Sequence, residues 1–215
     1  MPQDNGCEIC QEFASRTCPF LSPPKCRLLY DGADFAVFPS LGSFVEGYLL
    51  VCPKDHIPSS AWLDQEGLSN LERLLTTVKH IVRNHYTDPV VFEHGMTKCG
   101  ENAGGCIDHA HLHVVPGTVD LVGILAEQFV PEVLSNWLEL STWRTRPYLL
   151  AQPNRGPTII CEVRGSLPGQ FLRRRVAAAL GVPDIWDWGA YLGIREIHQT
   201  IERLAPAFAC ETAAL

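Results

Sequence analysis

Residues 104–117 read GGCIDHAHLHVVPG, with His109, His111 and His113 at alternate positions. In an extended strand, side chains at i, i+2 and i+4 share a face, so the three imidazoles project to one side and Ala110, Leu112 and Val114 to the other. The apolar side is suited to packing on a helix, and one is encoded just upstream. Residues 64–86, DQEGLSNLERLLTTVKHIVRNHY, place Leu68, Leu71, Leu74, Leu75, Val78 and Val82 at helical spacing behind Asp64 as a cap. Before that helix, CRLLYD, DFAVFPS and GYLLVCP are short β-type runs separated by Asp, Gly and Pro; after it, PVVFEHG and CIDHAHLHVVPG are two more strands joined by GMTKCGENAGG. The order β-β-β-α-β-β predicts an α+β domain over residues 1–117, an antiparallel sheet with a long packed helix.

Residues 118–215 lie beyond this pattern and are expected to form an α/β extension packed on the core. A helical stretch is predicted around 121–140, strands at RPYLLAQ and TIICEV, and a helical tail over 168–205. The first 26 residues, rich in Cys and Pro, read as a short helix or turn followed by a loop.

Composition narrows the function. The chain has 215 residues, 46% hydrophobic and 19% charged, and no apolar run of membrane-spanning length, which predicts a soluble globular protein. The opening MPQDNGCEICQEF has neither the basic nor the apolar region of a secretory signal, so a cytoplasmic location is expected. With 17 basic against 24 acidic residues, a net charge of −7 leaves no global positive field for a nucleic acid polymer. A small phosphorylated ligand held by local donors is compatible with it. The nine cysteines form an odd set, better read as thiols or metal ligands than as a disulfide framework.

Imidazole is the side chain whose pKa lies nearest neutrality, so a row of three can offer one substrate a nucleophile, a proton donor and an electropositive rim. A single histidine on a strand is usually structural; three in register beside GENAGGC, whose backbone N–H groups can approach phosphate oxygens, favour phosphoryl or nucleotidyl transfer. HAHLHVV matches His-φ-His-φ-His-φ-φ and, with LLVCPKDH upstream of the long helix, resembles the histidine-triad superfamily of nucleotide hydrolases and transferases. The resemblance covers roughly residues 7–117.

The resemblance implies that His111 attacks the α-phosphorus of a nucleotide, forming a covalent nucleotidyl-histidine that water resolves, with His113 contacting phosphate or the leaving group. Cys106 and Gly105 stand where relatives bind phosphate, and Ser40 where relatives hold the ribose with an Asp. A histidine as the third member favours hydrolysis over transfer, because transferase branches tend to carry glutamine there. The implied substrates are dinucleoside polyphosphates, nucleoside phosphoramidates or similar conjugates, with a nucleotidyltransferase or a binding module without turnover as alternatives. Relatives are usually dimers joined through the long helix and an edge strand, so a homodimer is expected.

The spacing of Cys7 and Cys10 in CEIC is that of half a tetrahedral zinc site. Zinc-containing members of the superfamily complete it with the counterparts of His56 and His109, which implies a closed, structural Zn²⁺ site; His94 is the alternative fourth ligand. Glu93 and His94 point to opposite faces if their segment is a strand, so only one can look into the site, and His94 can serve as an acid, a substrate contact or a structural group. In QFLRRRVAAAL, Gln170, Arg173 and Arg174 either reach a phosphate or form a solvated basic face. Trp186 and Trp188 are either core anchors or a platform for a base.

Overall fold

Antiparallel pairing organises the chain around one sheet. The computed structural model describes residues 6–23, 25–98 and 107–212. The strands are β1 (Tyr30–Asp31), β2 (Phe35–Pro39), β3 (Leu49–Pro53), β4 (Pro89–Gly95), β5 (Leu112–Pro116), β6 (Glu132–Val133), β7 (Tyr148–Gln152) and β8 (Ile159–Glu162). They lie in the order β1-β2-β3-β5-β4-β7-β8-β6. The helices are α1 (Glu8–Ser15), α2 (Gln65–His85), α3 (Leu121–Ala126), α4 (Phe171–Ala179) and α5 (Ile194–Glu211), with 3₁₀ turns at Ser60–Trp62 and Trp137–Trp143.

The meander, the long helix and the two following strands form as the α+β reading expects. Asp64 caps α2, accepting from the Gly67 N–H at 2.8 Å, and Leu68, Leu71, Leu74, Leu75, Val78 and Val82 are buried. They pack against Val51, Val91, Leu112 and Val114 on one face of the sheet, together with Leu204 and Phe208 of α5. The opposite face carries Phe38, Leu50, Phe92 and Val115, covered by Ile9 of α1, Leu121 and Leu125 of α3, and Phe171, Leu172 and Val176 of α4. Register decides which histidine goes where: His113 stands opposite Leu50 on β3 and Phe92 on β4, so it faces the second layer, while Val114 pairs Leu49 and Val91 toward α2.

Three sequence expectations are corrected. The histidine strand begins at Leu112, because the Ala110 N–H donates to the Ile57 carbonyl at 2.7 Å and leaves the ladder there. The stretch 121–140 is not one helix. Pro131 follows α3 and cannot donate a helical hydrogen bond, and Glu132–Val133 instead pair with Ile159 and Ile160 at the sheet edge. The tail likewise divides into α4 and α5, and Gly193, at φ 66°, comes so close to the Ser43 backbone that a Cβ would lie 2.3 Å from its carbonyl oxygen.

The extension packs on β4 and on the long helix. The outer edge of β4 pairs with β7, from Val91 opposite Gln152 to Gly95 opposite Tyr148, and α2 is packed by α5 and the 137–143 turn. The sheet ends instead on two-residue strands, which offer little backbone for pairing with another chain. Among the described residues no helix is long and apolar enough to cross a membrane.

Candidate active site and metal cluster

The segment just before β5 turns its first histidine away from the other two. His109 Nδ1 lies 3.5 Å from Cys7 Sγ and 3.5 Å from Cys10 Sγ, and His56 Nδ1 lies 3.4 Å from Cys10 Sγ. The donor atoms of all four residues fall within 4.8 Å of one another. A tetrahedral zinc ion with bonds of about 2.3 Å to sulfur and 2.0–2.1 Å to nitrogen places neighbouring S and N atoms about 3.5 Å apart, so the cluster has the dimensions of such a site. Its tautomer fits as well: His109 Nε2 donates to the Pro53 carbonyl at 2.7 Å, leaving the Nδ1 lone pair facing the two sulfurs. His94 lies elsewhere, on β4, and is not part of this cluster.

His111 and His113 enter a cleft between the sheet, α1 and α4. His111 Nδ1 is 2.7 Å from the His109 carbonyl oxygen. A carbonyl can only accept, so Nδ1 carries the proton and the Nε2 lone pair is left for a substrate. Burial is the main cause lowering the His111 pKa, partly opposed by this backbone bond, and the positive charge of Arg173 lowers it further. His113 stacks on Phe92 with ring centroids 4.4 Å apart and planes 17° from parallel, and its Nδ1 meets the Tyr48 hydroxyl at 2.7 Å. Burial, then the charges on His111, Arg173 and His94, hold its pKa well below the ordinary imidazole value. His94 Nε2 accepts from the Leu172 N–H at 3.0 Å, and burial drives its pKa down to about 3.

Arg173 supplies the positive charge in the cleft. It is 3% exposed, and Nη1 donates to Ser40 Oγ at 3.1 Å and Tyr48 Oη at 2.9 Å. Nη2 donates to the Gly42 carbonyl at 2.7 Å, and Nε to Gln170 Oε1 at 3.1 Å. Every one of these acceptors is neutral, and among the described residues Arg173 makes no ion pair. Arg27, in the same cleft, is instead neutralised by a two-pronged pair with Glu12, Nε–Oε1 and Nη2–Oε2 both 2.7 Å, and also donates to the Pro39 carbonyl. A buried cation without a counter-charge is costly, and an anion entering the cleft would offset that cost.

The structure therefore brings together His111, His113, His94, Ser40, Gln170 and Arg173 around one cleft. Arg174 stays exposed on the outer side of α4, its guanidinium 5.4 Å from the Trp186 ring, and Arg175 pairs with Glu127 at 2.6 Å, so of the three arginines Arg173 alone turns into the cleft. Trp188 lines the cleft edge-on to Phe20, while the Trp186 carbonyl accepts from Arg173. Glu93 points to the opposite face, where its carboxylate accepts from Ser60 and Tyr148, so of that pair His94 looks into the site. Cys106 and Gly105 lie outside the described residues. Sequence reading overlooked Tyr48 and the Glu12–Arg27 pair; the signal for Tyr48 was a hydroxyl inside the apolar run GYLLVCP, which must find a partner when buried.

The segment leading into β5 thus follows a Cys2His2 cluster and brings two further histidines into a cationic cleft. A family model described as "Scavenger mRNA decapping enzyme C-term binding" matches residues 20–122. A bis(5'-adenosyl)-triphosphatase of Dictyostelium discoideum is 30% identical over 78 residues, covering 36% of this chain and 50% of that protein. The zinc finger CCCH domain-containing protein 64 of Arabidopsis thaliana is 26% identical over 197 residues, 81% of this chain and 32% of that one. The chain thus spans half or less of the length of these two relatives. Among solved structures, a zinc-bound histidine triad family protein from Mycobacterium smegmatis is similar at 19% identity over 54% of this chain and 78% of that one, with a TM-score of 0.42. The chain is thus similar, over residues 20–122, to a family of mRNA decapping enzymes and, over a shorter stretch, to a dinucleoside triphosphatase.

Proposed function

We propose that the protein is a nucleotide hydrolase that cleaves a nucleotide conjugate at its α-phosphorus through a covalent intermediate on His111. The observation that carries this reading is the pairing of a free Nε2 lone pair on His111 with the uncompensated charge of Arg173 in the same cleft. The imidazole attacks phosphorus, an N–P bond forms, and the bond to the leaving group breaks; water then displaces the histidine and releases a nucleoside monophosphate. His113, His94, Ser40, Gln170 and Arg173 surround the phosphate, where their donors can offset charge developing on its oxygens. The named activity of the Dictyostelium relative supports a dinucleoside polyphosphate as one substrate class, with phosphoramidates and similar conjugates as others.

In this reading Cys7, Cys10, His56 and His109 hold Zn²⁺. Four protein ligands leave no position for substrate, so the ion is structural: it clamps α1 to the sheet beside the segment carrying His111. Residues 1–117 form the histidine-triad core, and 118–215 supply Arg173 and Gln170 and cover the sheet edge.

The test is intact-protein mass spectrometry after brief mixing with bis(5'-adenosyl) triphosphate and a panel of nucleoside phosphoramidates, quenched at alkaline pH because phosphohistidine is acid-labile. A nucleotidyl-sized adduct is expected in the native protein and not in His111→Ala. Binding of AMP with neither adduct nor product across the panel would replace this reading with a binding module.

A further inference from the structure

Tyr48 is a fully buried tyrosine just before β3, placed between two very different partners. Arg173 Nη1, 125 residues further along the chain, lies 2.9 Å from its oxygen on one side, and His113 Nδ1 lies 2.7 Å away on the other. A guanidinium can only donate, so the phenol oxygen accepts from Arg173, and the imidazole nitrogen 2.7 Å away is in position to accept the phenol O–H. Adjacent positive charge polarises the O–H and strengthens it as a donor. The stacking of His113 on Phe92 holds the ring plane, so Nδ1 stays on Tyr48 and Nε2 has no other hydrogen-bond partner among the described residues.

We propose that Tyr48 is a positioning residue that, held by Arg173 of the C-terminal segment, fixes His113 as its Nε2–H tautomer. The inference rests on the hydrolase reading above for its consequence, but not for its geometry. His111 and His113, their ring centroids 4.7 Å apart, then present opposite characters to the cleft. His111 offers a lone pair to phosphorus, and His113 offers a hydrogen to a phosphate or leaving-group oxygen. With the other tautomer, His113 would turn a lone pair toward those oxygens and repel them. His94 is unsuited to substitute through Nε2, which already accepts from the Leu172 N–H. The donor character of a core histidine is thereby set by the part of the chain that lies outside the triad core.

The tautomer is read directly from long-range ¹H–¹⁵N correlation spectra of the ¹⁵N-histidine-labelled protein at neutral pH, without substrate. His113 is expected as Nε2–H in the native protein and as a mixture or the Nδ1–H form in Tyr48→Phe, a change that removes one oxygen and no ring volume. Arg173→Lys, which keeps the charge but not the planar fork, is expected to shift the balance in the same direction. A native His113 in the Nδ1–H form, or an unchanged Nε2–H tautomer in Tyr48→Phe, would overturn the proposal. If bis(5'-adenosyl) triphosphate is turned over, Tyr48→Phe should lower kcat by about 10- to 100-fold while the adduct on His111 still forms. Absence of any adduct would count against the hydrolase reading alone, since the tautomer is measured without a nucleotide.

Discussion

His111 is tied to His109 through the backbone: the Nδ1 of one donates to the carbonyl of the other at 2.7 Å, while the imidazole of His109 faces the sulfurs of Cys7 and Cys10. The orientation of the proposed nucleophile is therefore coupled to the Cys2His2 cluster by a single residue. One equivalent of zinc per chain is expected by elemental analysis. Cys7→Ser or strong chelation should lower Tm by roughly 10 °C, as expected for loss of a few kcal/mol in a chain of this size. Adduct formation on His111 should slow in parallel, which a metal site unrelated to the cleft would not produce.

Burial sets a pH dependence of stability that calorimetry can read. His94 has a folded pKa of about 3, below the ordinary imidazole value of 6.5. Between those values the unfolded chain binds a proton that the folded one does not, so stability is full above about pH 6.5 and falls as pH drops toward 3. The slope is about 1.4 kcal/mol per pH unit for each such histidine. His94→Gln should flatten the decline between pH 6 and 4; an unchanged slope would show that His94 is not the group responsible.

The Glu12–Arg27 pair ties α1 to the segment before β1 inside the cleft wall, with both side chains at most 5% exposed. Arg27→Met leaves a buried carboxylate alone and should cost about 3–5 kcal/mol in chemical denaturation. The double change Glu12→Leu with Arg27→Met should recover much of that loss, because the unpaired charge is then gone.

The chain should sediment near its 23.8 kDa monomer mass, since β4 and α2 are already covered by β7 and α5. Removing residues 118–215 would expose the β4 edge and the apolar face of α2 together. A truncated chain that self-associates or precipitates is the expected result; a stable truncated monomer would show that the extension is not needed to cover them.

The core was largely legible in the sequence because its signals are local. Period-two alternation put His113 and Val114 on opposite faces, helical spacing and the Asp64 cap gave α2, and the Cys-x2-Cys spacing marked half of the Cys/His cluster, whose histidines only the family resemblance pointed to. The extension was read less well. Its 121–140 stretch has the apolar content of a helix, but Pro131 interrupts it and the free edge of β8 recruits Glu132 and Val133. Propensity does not know which strand edges remain unpaired.

Sequence by itself determined which residues could do chemistry here: three alternating histidines, two paired cysteines and a basic run in the tail. Tertiary structure decided their division of labour. It sent His109 to the cysteines and His111 and His113 to the cleft, turned Arg173 inward and Arg174 outward, and placed Tyr48 between Arg173 and His113. The His113 tautomer depends on Tyr48, 65 residues away, and the buried charge of Arg173 on Ser40 and Gly42, 133 and 131 residues away, and only the folded chain brings those partners within hydrogen-bonding distance.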